Sequence, residues 1–189
     1  MSAPGPEERW TQPDWWGPAD GWIGGVLPFN VIVARGERVV ILARDLAVFP
    51  GGITFTFHAL ARTSRRESIP DPEGTGIRVG FEFADGRRAE LDAPVGGPGG
   101  FTIRGHQEGD ARGPDPSRNI VLNTYGGGSS PEWIRWRCFL WPLPPAGDLR
   151  LFGAWEEAEV APQEALIEAA DLADARARAR RLPQFFLRE

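Results

Sequence analysis

The chain has 189 residues, of which 41% are hydrophobic and 25% are charged, which is the size and composition of one globular domain with a substantial core. Its net charge of −5, with 21 basic residues that are all arginine and lie scattered along the chain, argues against nucleic acid as a partner, because phosphate binding needs a concentrated basic face. The chain carries one cysteine, which excludes an internal disulfide, and no apolar run near the roughly 18 residues of a membrane span, so we expect a cytoplasmic protein that does not enter a membrane.

The first predicted element is an N-terminal arm, residues 1–26, in which proline and glycine are interspersed with tryptophan. Its four tryptophans are Trp10, Trp15, Trp16 and Trp22. The arm shows neither helical nor strand periodicity, yet disordered tails normally lack aromatic residues. We therefore expect it to lie extended across its own domain or across a partner, with some of the indoles buried.

Residues 27–157 carry the pattern of a β-rich body. Predicted strands lie at 29–34, 37–49, 53–57, 77–83, 87–91, 101–103 and 119–125, separated by turns rich in glycine and proline. Ile53, Phe55 and Phe57 alternate with polar residues, which places them on one face of their strand. Asp85 and Gly86 form the strongest hairpin signal in the chain. The glycine-rich segment 126–131 is expected to end a strand.

The segment 132–155 holds two further strands joined by a proline-rich corner. The even-numbered residues of 133–140 are predicted to be core, and the odd-numbered ones, Phe139 among them, to form a partly exposed face. The prolines of the corner cannot donate to a ladder, so pairing must stop there. Trp136 and Trp155 are predicted to fill the core, and Trp141 to close its end. The body is therefore expected to be an all-β antiparallel β-sandwich, Ig-like or jelly-roll-like.

The last element, residues 158–189, changes to a helical period and predicts one C-terminal α-helix. Pro162 suits a first helical position, and a stripe of alanine and leucine over 165–177 predicts a helix over 163–182. Acidic residues fill its first half and arginines its last, which complements the helix dipole. The apolar tail after the helix includes Phe185 and Phe186, and we expect another surface to cover it.

The motif Trp-Pro-Leu-Pro-Pro-x-Gly-x-Leu at 141–149 resembles one in uncharacterised bacterial proteins, chiefly from GC-rich genomes. Those proteins share a turn like 48–52, a Phe-rich strand, a hairpin like that at Asp85 and Gly86, a glycine-rich loop like 126–129 and a C-terminal helix. The resemblance would cover residues 27–182. It implies a β-sandwich with one helix and carries no known activity, and the Trp-rich arm departs from it.

Few residues show a pattern typical of catalysis. His106, Glu108 and Asp110 alternate on a glycine-flanked loop, where they could offer nitrogen and oxygen ligands to a divalent metal. No second histidine lies near them in the sequence. Cys138 falls on a strand face predicted to be core, where a thiol is usually inert. We therefore assign no catalytic residue and expect no cofactor.

Three functions remain open. The main prediction is a non-catalytic interaction or assembly protein, because an aromatic arm and an apolar tail flank a body without a catalytic constellation. Its contacts with a protein partner, or with a second copy in a homo-oligomer, would be made by Trp15, Trp16, Trp22, Phe185 and Phe186. The second is a carbohydrate-binding module, in which sugars stack on exposed rings of Trp133 and Trp141. The third is a metal-dependent enzyme centred on the loop of His106, Glu108 and Asp110.

Overall fold

A computed structural model of the protein describes residues 12–28, 30–62, 69, 76–93, 101–104 and 115–183. In chain order the strands are β1 (Trp22–Ile23), β2 (Gly25–Val26), β3 (Val31–Arg35), β4 (Val39–Val48), β5 (Ile53–Ala61), β6 (Ile77–Glu82), β7 (Arg88–Ala93), β8 (Phe101–Arg104), β9 (Ile120–Ser130), β10 (Trp133–Trp141), β11 (Leu149–Trp155), β12 (Val160–Ile167) and β13 (Arg180–Arg181). A short 3-10 helix (Glu156–Ala158) precedes β12, and the α-helix α1 (Ala169–Arg178) follows it.

These strands form two main sheets. The larger has seven strands in the order β2-β4-β5-β10-β9-β8, with β3 also paired to β4, and the smaller has four in the order β12-β11-β6-β7. Every pair is antiparallel, and β1 pairs separately with β13. Since β1 and β2 come from the N-terminal arm, the arm forms strands that its sequence pattern does not predict.

The two sheets face each other and enclose the core. Phe55 and Phe57 of the larger sheet meet Phe81 of the smaller, with ring centroids 4.6 and 5.6 Å from that of Phe81. Trp155 is fully buried in the same cluster, and Trp136 is 5% exposed. The part of the chain that the structure describes is therefore an all-β antiparallel sandwich with an α-helix near its C-terminal end, as the sequence predicts.

One pair of sheet edges is joined by a single side chain. β3 of the larger sheet and β12 of the smaller lie beside each other, and Gln163 of β12 reaches across to the backbone of Arg35. Its Nε2 donates to the Arg35 carbonyl at 2.7 Å, and its Oε1 accepts from the Arg35 N–H at 3.1 Å. The sandwich is thus bridged at this edge without a continuous backbone ladder.

Phe139 is not the partly exposed residue that we predicted. It is fully buried in a second apolar cluster with Val121 and Trp141, separate from the core between the sheets. The N-terminal arm covers this cluster, because Trp15 packs against it. The alternation of β10 places Phe139 correctly on the outer face of the larger sheet, but it cannot show that another segment lies over that face.

The strand β9 is longer than the predicted 119–125, and the glycines that were expected to break it belong to it. Gly126, Gly127 and Gly128 pair with Arg137, Trp136 and Arg135 of β10 in the same order. A Cβ atom on Gly127 would lie 2.6 Å from the carbonyl oxygen of Arg135. Glycine therefore lets the two strands approach closely, which is one of its uses inside a sheet.

The predicted helix over 163–182 is wrong at both ends, because β12 runs through residue 167 before α1 begins at Ala169, and β13 follows the end of α1. The β11–β12 register shifts between Gly153 and Trp155, so Pro162 lies in a bulge at a sheet edge, where its missing N–H is tolerated. Pairing with β11 buries Ile167. Burial and backbone pairing here outweigh the helix propensity of the segment.

The helix α1 is shorter than predicted and docks closely on β2. It buries Leu172 and Ala175, whereas most of the predicted alanine stripe is exposed. Its first N–H, on Ala169, donates to Oδ1 of Asp148 at 2.9 Å, which satisfies one free donor of the helix start. A Cβ atom on Gly25 would lie 1.7 Å from the carbonyl oxygen of Ala175, so the helix backbone rests directly on the glycine.

Candidate functional site

The outer face of the larger sheet gathers aromatic and cationic side chains from the arm and from β4, β5 and β10. Alternate side chains of a strand point to opposite faces, so the residues that do not enter the core form this surface. On β10 they run from Trp133 at one end to Trp141 at the other. The two ends of this row differ in chemistry, and each is built by different elements.

The arm places two stacked tryptophans, Trp15 and Trp16, on the Trp141 end of the face, and we call this pair the indole shelf. Their ring centroids are 6.1 Å apart, with an interplanar angle of 9°. Trp15 is half-buried, whereas Trp16 is 47% exposed. The Trp16 backbone is held on both sides, because its N–H donates to the carbonyl of Pro13 and its carbonyl accepts from Nδ2 of Asn123. The shelf therefore presents a fixed indole to solvent.

The other tryptophans singled out by the sequence are less open. Trp22 is half-buried in β1, opposite Arg181 of β13. Trp141 is 7% exposed, and Trp133 is half-buried with the guanidinium carbon of Arg135 5.4 Å from its ring centre. A sugar stacks on an open indole face, which Trp141 does not offer and which Trp133 shares with Arg135. The geometry therefore does not favour the carbohydrate-binding hypothesis.

Three residues meet at the Trp133 end of the face, namely Arg44 of β4, His58 of β5 and Arg135 of β10, and we call them the cationic cluster. His58 lies directly opposite Arg135 in the register of β5 and β10. Nη1 of Arg44 lies 3.5 Å from Nδ1 of His58. Arg137 is the next outward residue of β10 and lies opposite Thr56. Three guanidinium groups and one imidazole therefore share one surface.

The cationic cluster has little negative charge beside it. Oδ2 of Asp45 lies 3.4 Å from Nε of Arg44, and within the described ranges no carboxylate oxygen lies within 4.0 Å of a side-chain nitrogen of Arg135 or Arg137. Burial lowers the pKa of His58, and the charges of Arg44 and Arg135 lower it further. The charged form of the imidazole is therefore disfavoured in the folded protein.

Sequence reasoning did not find the cationic cluster. It placed Arg135 on the outward face of one strand, and in the structure His58 and Arg44 occupy outward positions of two others. Their proximity follows from the strand order β4-β5-β10, which joins segments far apart along the chain. Outward cations on several predicted strands are the signal in the sequence, but only the strand order shows that these three meet.

Several predicted site residues lie outside the described residues, namely Trp10, His106, Glu108, Asp110, Phe185 and Phe186. Across the ranges that the structure does describe, no group of three or more His, Cys, Asp or Glu is placed to hold a metal ion. Cys138 is fully buried, and burial raises the pKa of its thiol, so it is not an active nucleophile. The metal-dependent enzyme stays a prediction.

A cavity of about 420 Å³ lies between the proline-rich corner and α1. Leu143, Pro144 and Pro145 line one side of it, and the helix lines the other. Arg176 is the one charged residue among its lining residues. Ligand pockets of this size usually carry several convergent polar groups that orient the ligand. The cavity therefore offers apolar surface but few polar groups that could make it specific for one ligand.

Comparisons of the chain with protein-family models, with curated proteins and with solved structures gave no match. The resemblance carried by the motif at 141–149 therefore stays a prediction. Among the helices of the described ranges, none combines the length and the apolar composition needed to cross a membrane.

Proposed function

We propose that the chain is a non-catalytic interaction and assembly protein that makes its protein contacts with the outer face of the larger sheet. The observation that carries this proposal is the indole shelf, where Trp16 is exposed on a fixed support. Tryptophan is enriched at the centres of protein interfaces, since a rigid ring buries a large area at little cost in side-chain entropy. In this proposal the Trp-rich arm holds the indole of Trp16 on the surface of the sheet.

The rest of the outer face and its surroundings support a protein partner over a nucleic acid. Arg135 and Arg137 lie between the indole shelf and Trp133, and Tyr125 of the neighbouring β9 is 49% exposed. Arginine and tyrosine are, with tryptophan, the residues most often found at the energetic centres of interfaces. A phosphate backbone would need many more cations than this chain of net charge −5 places together.

The proposal places the protein in the cytoplasm, in contact with a second copy of the chain or with another protein. Its single cysteine is free and buried, which fits a reducing compartment. No catalytic residue and no cofactor enter the proposal. The contact residues are Trp15 and Trp16 of the arm together with the outward residues of β10.

Site-specific photo-cross-linking at position 16 tests the proposal. p-Benzoylphenylalanine replaces Trp16 in the full chain, and cells of the native host are irradiated. We expect a cross-link to one defined protein, which mass spectrometry identifies as a second copy or as another chain. The matched control carries the same amino acid at Leu166, which is 49% exposed on β12 of the smaller sheet. Cross-linking at position 16 that does not exceed the level at position 166 contradicts the proposal.

A further inference from the structure

We propose that the cationic cluster binds a carboxylate on an acidic segment of the partner protein, seated between Arg44 and Arg135 and beside His58. This inference rests on the proposed function, because it names the chemistry of the surface that meets the outer face. It requires no contribution from the indole shelf. The two proposals can therefore be tested separately.

The strand register brings together donors from which a carboxylate can accept. Arg135 lies opposite His58, and His58 lies opposite Leu42, so outward side chains of three strands stand in one row. Cross-strand neighbours are about 5 Å apart, and Arg44 reaches the imidazole from the next row. Each guanidinium offers five N–H donors in a planar fork, and a carboxylate offers two oxygens that accept from such forks.

Several of these donors form no hydrogen bond among the residues that the structure describes. Nε of Arg44, Nε of Arg135 and Nε2 of His58 are buried and have no hydrogen-bond partner in the part of the chain that the structure describes. The contacts that Arg44 makes are long, at 3.5 Å to His58 and 3.4 Å to Asp45. Half-buried cations lose hydration without gaining close partners, so an anion that fits between them is favoured.

The surroundings strengthen an ion pair at this place. Leu42 and Leu60 are half-buried on the same face, and Arg135 lies over the ring of Trp133. Apolar neighbours lower the local dielectric and so increase the attraction between opposite charges. Because β5 lies between β4 and β10 inside the sheet, the paired backbone holds the three residues close together before any ligand arrives. Less conformational entropy is then lost on binding.

A protein carboxylate suits this cluster better than a phosphate polymer. Together with Arg137 the surface has three arginines and, among the described carboxylates, only Asp45 paired with them. The net charge of −5 repels an extended polyanion beyond the cluster, whereas one or two carboxylates match the local excess of charge. Trp133 at the edge of the cluster offers the apolar contact that a peptide can use.

Titration of the purified full chain with a capped pentaglutamate peptide tests the proposal. Binding is followed through the imidazole NMR signals of His58, which a His106→Gln variant assigns because the chain has two histidines. We expect saturable shifts with pentaglutamate and none with capped pentaglutamine. Arg44→Gln and Arg135→Gln are each expected to weaken binding about tenfold, since each removes charge-assisted hydrogen bonds.

The matched control is Arg78→Gln, which removes the same charge from an exposed position on β6 of the smaller sheet. We expect its affinity to stay within about twofold of the native value, because distant surface charges are screened. Equal weakening by Arg78→Gln and Arg135→Gln overturns the proposal, since overall charge would then explain the attraction. Amide spectra verify that each variant is folded, and Arg44→Gln alone suffices if Arg135→Gln does not fold.

The pH dependence gives a readout that a purely structural role would not change. His58 faces Arg44 and Asp45 from β4 and Arg135 from β10. A bound carboxylate offsets the two guanidinium charges, so we expect saturating peptide to raise the pKa of His58 and affinity to increase as pH falls through the pKa that His58 has in the complex. His58→Gln should bind with an affinity that is independent of pH in this range. A native affinity that is equally flat overturns the proposal.

Inorganic phosphate is the competing ligand. If phosphate shifts the His58 signals at a lower concentration than pentaglutamate does, the cluster is a phosphate site and the proposal is overturned. The absence of any shift with pentaglutamate also overturns it, but the proposed function stands if position 16 still cross-links to a partner. Saturable peptide binding without a cross-link at position 16 supports the carboxylate site and removes the indole shelf from the interface.

Discussion

His58 illustrates how burial changes the chemistry of one side chain. Burial and the charges of Arg44 and Arg135 lower its pKa from the ordinary value of 6.5. As pH falls through this value, the unfolded chain takes up a proton that the folded protein accepts only at lower pH, so the stability of the fold decreases. The pKa values of Asp85 and Asp115 are also lowered, so these carboxyl groups titrate below about pH 5 and do not affect stability near the pKa of a histidine.

We therefore expect the free energy of unfolding of the native protein to decrease between about pH 7.5 and 5.5, and His58→Gln to remove this part of the decrease. Urea unfolding at a series of pH values, followed by circular dichroism, measures both profiles. Parallel profiles for the native protein and the variant would show that His58 does not titrate differently in the two states.

Cys138 is expected to be unreactive in the folded protein. It is fully buried, and burial raises the pKa of its thiol, while only the thiolate reacts with disulfide reagents. Labelling with a chromogenic disulfide in native buffer should therefore be limited by unfolding and become rapid in denaturant. The matched control is Leu166→Cys in a Cys138→Ala background, which places a thiol at an exposed position. Equally fast labelling of the two thiols in native buffer is the contrary result.

Sequence alternation predicts the direction of single side chains because that direction is a local property of a strand. Phe55 and Trp136 are buried as expected from period two. Phe139 points outward as expected, but Trp15 packs over its cluster, so it is buried against expectation. Whether an outward residue meets solvent depends on where a distant segment lies, and a local pattern contains no such information.

At the scale of elements, the contact between α1 and β2 is the one most sensitive to a small change. Gly25→Ala would set a Cβ 1.7 Å from the carbonyl oxygen of Ala175, so the helix must shift away from the sheet. We expect a loss of about 1–3 kcal/mol in the free energy of unfolding. Gly126→Ala, also in a strand but with no heavy atom near its Cβ, is the control and should change stability by less than about 0.5 kcal/mol.

Urea unfolding of the two glycine variants measures the difference. If Gly25→Ala is as stable as Gly126→Ala, the backbone of α1 does not rest on Gly25 in solution. Tryptophan fluorescence follows the transition.

The strands β9 and β12 were not predicted in full from the sequence, and the physical reason is the same for both. The segment of β12 is rich in alanine and glutamate and favours a helix by propensity, and the glycines of β9 favour a loop. Both become strands because a partner, β11 or β10, is available for backbone pairing. Local composition predicts elements well where propensity and pairing agree, as at the hairpin of Asp85 and Gly86, and fails where they compete.

At the scale of the whole molecule, the contact between the sheets provides most of the apolar burial. Phe81→Ala removes a ring that meets Phe55 and Phe57 across the interface, and we expect it to cost about 3–5 kcal/mol. Phe152→Ala is the control, because that ring is half-buried on the outer face of the smaller sheet under Arg88 and should cost about 1 kcal/mol. Denaturant unfolding compares the two variants, and equal losses would contradict a core between the sheets.

The candidate site also belongs to the whole molecule. The sequence marks Arg135 as an outward residue, but its position opposite His58 requires β5 and β10 to pair, and β6, β7, β8 and β9 lie between these two strands along the chain. Non-local pairing is the part of a β fold that periodicity does not encode. The tryptophans of the arm, by contrast, could be named from composition alone, although not which of them would be exposed.

The side chain of Gln163 has a consequence for behaviour at high concentration. A primary amide carries the donor and the acceptor of a peptide group, so its two hydrogen bonds to Arg35 occupy backbone groups that a further chain could otherwise use. Open edges of this kind recruit strands from other molecules and allow fibrils to grow. Pro162 lies beside Gln163 on the same strand and has no N–H to donate to an added strand. The two residues together therefore disfavour aggregation by strand addition at this edge, without a further domain to cover it.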